Sequence, residues 1–182
     1  MSKIIKSKGV SISPLEQSVA KVIAEITTPD VAEEVKALQL AAVKEVKVSA
    51  NKKALVVFVP FRQHRKFTKV QKKLIAEVEK KFPNTHVLIV AQRTVLSDQM
   101  ARWTNQKLAH SRTLAAVQDA ILHDIVSPSV ITGKRIRYKT DGSQLLKVFV
   151  DRKDSQEVEE RLATFAAVYK KLTQRAVEFS FQ

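Results

Sequence analysis

The 182-residue sequence contains no cysteine. That excludes disulfide frameworks, Cys-ligated zinc and iron–sulfur centres, and thiolate nucleophiles. Glycine is almost as scarce, at 3 residues, and forms neither a Walker loop nor a GxGxxG turn. Only 5 prolines and no low-complexity tract argue against a fibrous or disordered chain. No apolar run approaches the roughly 20 residues needed to cross a bilayer. Met1 to Gly9 has Ile4 and Ile5 as its apolar pair and no secretory signal core, so a soluble intracellular protein is expected. HExxH is absent, and His64, His86, His110 and His123 lack metal-ligand spacing. The carboxylates share helices with lysines and are not paired for acid–base chemistry. No enzyme, metal, cofactor or small-molecule substrate is therefore expected.

Acid is missing mainly from one third of the chain. The formal charge is +14, from 32 basic and 18 acidic side chains. Residues 1–51 hold 7 basic and 6 acidic groups, and residues 114–182 hold 11 and 9. Residues 52–113 hold 14 and 3, so this middle segment carries +11. Self-repulsion of that size does not assist folding, and it points to a polyanionic partner, nucleic acid before anionic membrane.

Ser13-Pro14-Leu15-Glu16 opens a helix with a serine cap, a first-turn proline and a capping-box glutamate. Its apolar positions Leu15, Val19, Val22, Ile23 and Ile26 run to Thr27-Thr28-Pro29. A short helix over 30–38 follows, then strands over 42–48 and 54–59 joined by the Ser49-Ala50-Asn51-Lys52 turn. Residues 65–82 read as a helix, 86–91 as a buried strand and 113–126 as a helix ending at Ser127-Pro128. Strands over 131–139 and 145–150 form a hairpin about Asp141-Gly142. A helix capped by Asp154 with Glu157 runs to about 172, and 176–181 alternates as a strand. The order αββαβ thus recurs. Leu15, Val22, Ile23 and Ile26 match Leu114, Ile121, Leu122 and Ile125, while Val87 and Ile89 match Val177 and Phe179. An α+β fold is expected, with this pseudo-repeat forming two small sheets or one mixed sheet packed by helices. Residues 1–12 are expected to form a flexible basic tail, and 13–182 a single compact domain. A basic extended loop, 93–112, precedes the third long helix.

Three clusters are candidate nucleic-acid contacts. On the 65–82 helix, at about 100° per residue, Phe67, Val70, Leu74, Ile75, Val78 and Phe82 share one arc. Arg65, Lys66, Lys69, Lys72, Lys73 and Lys80 lie opposite, extended by Arg62. A solvated face is the plain alternative, but the 155–172 helix mixes Glu157, Glu159, Glu160, Arg161, Lys170 and Lys171, which solubility alone would accept. The 93–112 loop holds Arg93, Arg102, Lys107, His110 and Arg112 against Asp98, and Trp103 either stacks on an unpaired base or folds back into the core. In Gly133-Lys134-Arg135-Ile136-Arg137-Tyr138-Lys139, alternation puts Lys134, Ile136 and Tyr138 on one face and Arg135, Arg137 and Lys139 on the other. Phosphate contact or pairing with Asp141 or Asp151 would satisfy those three cations. His123-Asp124 reads as a surface or helix-end feature.

The segments KKALVVFVP (52–60), KVQKKL (69–74), EVEKKF (77–82), HVLIVAQR (86–93), SRTLAAVQDAIL (111–122), GKRIRY (133–138) and VYKKLTQRAVEFSF (168–181) together resemble one family. It is the eukaryote-type small-subunit ribosomal protein seven family, unrelated to the bacterial protein of the same number. The resemblance covers nearly the whole chain. It implies a structural constituent of the cytosolic 40S subunit that binds small-subunit rRNA, touches neighbouring 40S proteins and meets assembly factors in the nucleolus. It also implies an RNA-facing loop before the SRTL helix, matched here at Arg93, Ser111 and Arg112. The middle of that loop, LSDQMARWTNQKLAH, departs from the family's cation-dense pattern and moves the weight to 65–73 and to Ser111 and Arg112. A non-ribosomal RNA-binding factor in rRNA processing or translation initiation would share the basic patch. A membrane-surface protein would need the apolar arc of the 65–82 helix for lipid.

Overall fold

A computed structural model describes residues 3–6, 11–25, 38–49, 52–94 and 113–181. The elements are α1 (Pro14–Glu25), β1 (Ala42–Lys47), β2 (Lys53–Pro60), α2 (His64–Lys81), β3 (Thr85–Gln92), α3 (Leu114–Val126), β4 (Ile131–Tyr138), β5 (Gln144–Val150), α4 (Ser155–Val158), α5 (Leu162–Thr173) and β6 (Ala176–Phe181). The helix expected over 30–38 lies outside the described residues apart from Leu38, which is buried.

The strands form two mixed sheets, β1-β2-β3 and β4-β5-β6. In each, the first pair is antiparallel and the second parallel. The register repeats as well. Leu55 faces Val87 as Leu146 faces Val177, and Lys44 faces Val56 as Arg135 faces Lys147. The αββαβ repeat read from the sequence is thus a repeat of topology and of strand register.

Two cores share the first sheet. On one face, Leu55, Val57, Val59, Val87 and Ile89 meet Val19 and Ile23 of α1 and Phe67, Val70, Leu74, Ile75 and Val78 of α2. On the other, Ala54, Val56, Leu88 and Val90 meet Leu122 and Ile125 of α3 and Phe165, Val168 and Tyr169 of α5. The same core takes in Val148 and Val150 from the second sheet. The order is helices, sheet, helices, sheet. Burial on both faces explains why β2 reads LVVFV without alternation, whereas β5 carries Lys147 in its middle.

Several local signals do more than the sequence suggested. The Glu16 carboxylate accepts from Ser13 N at 2.8 Å, as a capping box requires, and is almost wholly buried. It also accepts from Lys6 Nζ at 2.6 Å and Val43 N at 3.4 Å, tying α1 to β1. Residues 3–6, expected within a flexible tail, are thereby held: Ile4 bridges Leu40, with Ile5 N donating to Leu40 O at 2.8 Å. Burial pushes the Glu16 pKa up, but the Lys6 bond, the two backbone donors and the Lys6 charge outweigh it and leave the pKa below its ordinary 4.5. A depressed folded pKa contributes stability above the unfolded value that is lost as pH falls through the folded one. Glu16→Gln is therefore expected to lower the urea midpoint at neutral pH and to flatten its decline below about pH 4.5.

The last long helix differs from expectation. A 3-10 turn over Glu159–Arg161 separates α4 from α5, and Asp154 makes no side-chain cap. Asp151 caps instead, accepting from Lys153 N at 3.1 Å at the head of a preceding 3-10 turn, Arg152–Asp154. Arg161, at the end of the inserted turn, reaches Glu79 Oε2 of α2 at 2.8 Å.

Candidate nucleic-acid interface

The α2 surface follows from its sequence. Phe67, Val70, Leu74, Ile75 and Val78 are buried, with Gln71 beside them, while Arg65, Lys66, Lys69, Lys72 and Lys73 are exposed. Arg62 joins them from the 3-10 turn Phe61–Gln63 that leads into the helix. The later lysines meet carboxylates: Lys72 lies 3.9 Å from Glu157, Lys80 2.7 Å from Glu77 and Lys81 3.9 Å from Glu25. Arg62, Arg65, Lys66 and Lys69 form no ion pair among the described residues. The first turn has no acidic residue and no side-chain cap, so cations crowd the positive end of the helix dipole. An anion placed there would relieve both the repulsion and the uncapped N–H groups.

Because the apolar arc of α2 is buried in the first core, it is not available to lipid. No helix among the described residues is long and apolar enough to cross a membrane.

The β4–β5 hairpin presents the second cluster. Lys139 N donates to Ser143 O at 2.9 Å, and Gly142 N to Lys139 O at 3.0 Å. Gly142 adopts φ 74°, a left-handed conformation that favours glycine. The resulting register gives the expected alternation, with Arg135 opposite Lys147 and Arg137 opposite Leu145. Among the described residues Arg135, Arg137 and Lys139 pair with neither Asp141 nor Asp151, and all three are exposed. Lys134, on the other face, pairs instead with Asp119 Oδ1 of α3.

Arg93 occupies a different environment from the one its loop position suggested. Its guanidinium is almost fully buried and grips Asp124 of α3 through both nitrogens, Nη2 to Oδ1 at 3.0 Å. The guanidinium carbon also lies 5.8 Å from the centroid of the Phe61 ring, a cation–π contact. Asp124 also accepts from Ala91 N at 2.9 Å and lies 3.4 Å from His64 Nε2. Asp124 is thus a buried hub joining β3, α3 and the start of α2, while its neighbour His123 stays on the surface. Arg93 is a positioning residue of the fold. Arg102, Lys107, Ser111 and Arg112, with Trp103, lie outside the described residues.

An open cleft of about 610 Å³ separates α2 from the α4 region, lined in part by Lys72, Glu79, His86, Glu157 and Arg161. His86 Nδ1 lies 2.9 Å from Thr164 Oγ1, and burial followed by the Arg161 charge lowers its pKa. Among the described residues no cluster of His and carboxylate side chains could hold a metal.

The profile of the family described as ribosomal protein S7e matches residues 3–181. The chain belongs to that family. It is similar to the small ribosomal subunit protein eS7 of Drosophila melanogaster, 42% identical over 99% of this chain and 94% of the relative. It is similar to the protein of that name from Dictyostelium discoideum, 41% identical over 98% and 94%. The Schizosaccharomyces pombe protein is 42% identical over 100% and 94%. S7e proteins are structural ribosomal proteins and not enzymes. The resemblance drawn from the sequence segments therefore identified the right family.

Two members of the hairpin surface were not read from the S7e sequence, Lys147 and Phe149. Arg135 lies 5.6 Å from the Phe149 ring centroid and Lys147 Nζ 5.7 Å from it. The signal was available. Once Asp141-Gly142 sets the hairpin register, every second residue of β5 shares a face with Arg135 and Arg137.

Proposed function

We propose that this S7e protein is a structural constituent of the cytosolic small (40S) ribosomal subunit and binds rRNA through Arg62, Arg65, Lys66 and Lys69, extended by Lys72 and Lys73. The observation that carries the reading is the start of α2 and the turn before it, where four cations stand without carboxylate partners among the described residues beside a helix face anchored in the core. Family membership and the names of the relatives support the ribosomal assignment. Arg135, Arg137 and Lys139 supply a second contact, and Lys107, Arg102, Ser111 and Arg112 extend the set through the loop. Arg93 and Lys134 contribute indirectly, through Asp124 and Asp119. Neighbouring proteins of the subunit and assembly factors are the protein partners, met first in the nucleolus and then in the cytoplasm. Residues 13–182 act as one body.

The mechanism is charge neutralisation with register. Each Lys or Arg displaces counterions condensed on the phosphates, while hydrogen bonds to phosphate and 2′-hydroxyl groups fix position. With six to eight phosphates engaged, log affinity for an rRNA fragment falls with log salt at a slope of about −4 to −7. A slope near −1, from filter binding across a salt series, would refute the reading. Sedimentation separates it from a free processing or initiation factor: a constituent stays with the 40S particle at moderate salt, and a transient factor moves to the top of the gradient.

A further inference from the structure

We propose that the outer face of the second sheet binds an unpaired RNA segment, with a base stacked on the Arg135 guanidinium and phosphates held by Arg137, Lys139 and Lys147. This rests on the rRNA reading above and adds the form of RNA and the way it is held.

The internal repeat supplies the comparison. In the first sheet, Phe58 of β2 lies under Lys44, whose Nζ is 5.6 Å from the ring centroid. In the second, Phe149 and Arg135 hold the same register positions. The two surfaces then diverge. Around Phe58 stand Ala54, Val56, Leu88 and Val90, all buried under α3 and α5, and Phe58 itself packs against that core. Around Phe149, Lys147 stands in the place of Val56 and Glu178 in the place of Leu88. Leu145 and Phe149 belong to neither core, and among the described residues no helix covers this face. The copy of the surface that ends the stack of layers has exchanged apolar positions for the charged Lys147 and Glu178, and it keeps a cation, Arg135, over the ring.

The arrangement of those cations is specific. Arg135 and Lys147 are direct cross-strand partners, a like-charge pairing that weakens a sheet. Both lean over Phe149, whose own cross-strand neighbours are the small Gly133 and Ser180. The Arg135 guanidinium, on an exposed residue, therefore has an aromatic ring beside it. A planar cation held in that way is a stacking plate for a base. Bases in a duplex are already stacked on one another, so only an unpaired nucleotide can use it. An acidic peptide would match the charge but would gain nothing from the planarity of arginine over lysine.

The test uses the full chain and fluorescence anisotropy with a short unstructured oligoribonucleotide and a short RNA duplex. Arg135→Lys keeps the charge and removes the plane, and Phe149→Leu removes the backing. Each is expected to weaken single-strand binding about tenfold. Duplex affinity should fall by less than single-strand affinity for Arg135→Lys, since the charge is kept, and its thermal unfolding should match the parent. Equal affinity of Arg135→Lys and the parent for the single strand overturns the proposal. So does displacement of the strand by a poly-glutamate peptide as readily as by unlabelled RNA, which would make the face an acidic-protein surface. A parent chain that binds the duplex through α2 but does not respond to these variants overturns this proposal alone. A parent that binds neither RNA overturns the rRNA reading with it.

Discussion

Asp124→Ala is expected to cost about 3–5 kcal/mol of stability, the largest single-residue effect we foresee. Asp124 accepts from Ala91 N and from both terminal nitrogens of Arg93, and it lies within 3.4 Å of His64. Both charged partners are buried, Arg93 with 7% and Asp124 with 5% of its side chain exposed. Truncation leaves a guanidinium out of water with no counter-charge and orphans a backbone donor at the end of β3, and each loss carries a desolvation penalty. For a chain of this length the melting temperature should fall by roughly 10 °C. A second variant tells whether charge or packing is responsible. Replacing the pair together, Asp124→Leu with Arg93→Met, removes both charges and keeps volume, so much of the loss should return. Thermal unfolding of the two single variants and the double closes the cycle, and additive losses would refute the assignment of Arg93 to Asp124.

The same pair marks where the sequence stopped being informative. Arg93 stands first in a cation-bearing loop and Asp124 beside a histidine near a helix end, and each position has a plain surface explanation. Their pairing spans 31 residues and is created by the packing of α3 on β3, which no local pattern encodes. Features written within one turn or one hairpin were legible. The capping glutamate, the two-sided character of α2 and the parity of Arg135 and Arg137 all follow from spacing alone. The parity argument extends to Lys147 and Phe149 only after the turn fixes the register, so that half of the hairpin surface needed the fold. The break between α4 and α5 has no counterpart in the apolar spacing, since Val158 and Phe165 keep a helical interval and both are buried. The fold class was accessible because the repeat is a repeat of apolar pattern, and the pattern determines which face of each strand is covered.

Reversing the four cations at and just before the start of α2, with Arg62→Glu, Arg65→Glu, Lys66→Glu and Lys69→Glu, should have the largest effect on RNA. Each phosphate contact carries about 0.7–0.9 log units of affinity per decade of salt below 1 M. Losing four therefore lowers affinity on the order of a thousandfold at about 0.1 M salt, and reduces the magnitude of the salt slope by about three. The fold should tolerate the change. Arg65, Lys66 and Lys69 are exposed, none of the four pairs with a carboxylate among the described residues, and glutamates in the first turn suit the helix dipole better than the cations they replace. Stability should hold or rise while RNA binding and entry into 40S particles are lost, a combination that simple misfolding cannot produce. Circular dichroism and thermal unfolding measure the first quantity, and sedimentation of the tagged chain in a depleted cell measures the second. If the reversed chain still enters 40S particles like the parent, α2 is only a solvated face. The stability gain would then measure what those cations cost the helix with no phosphate to offset it.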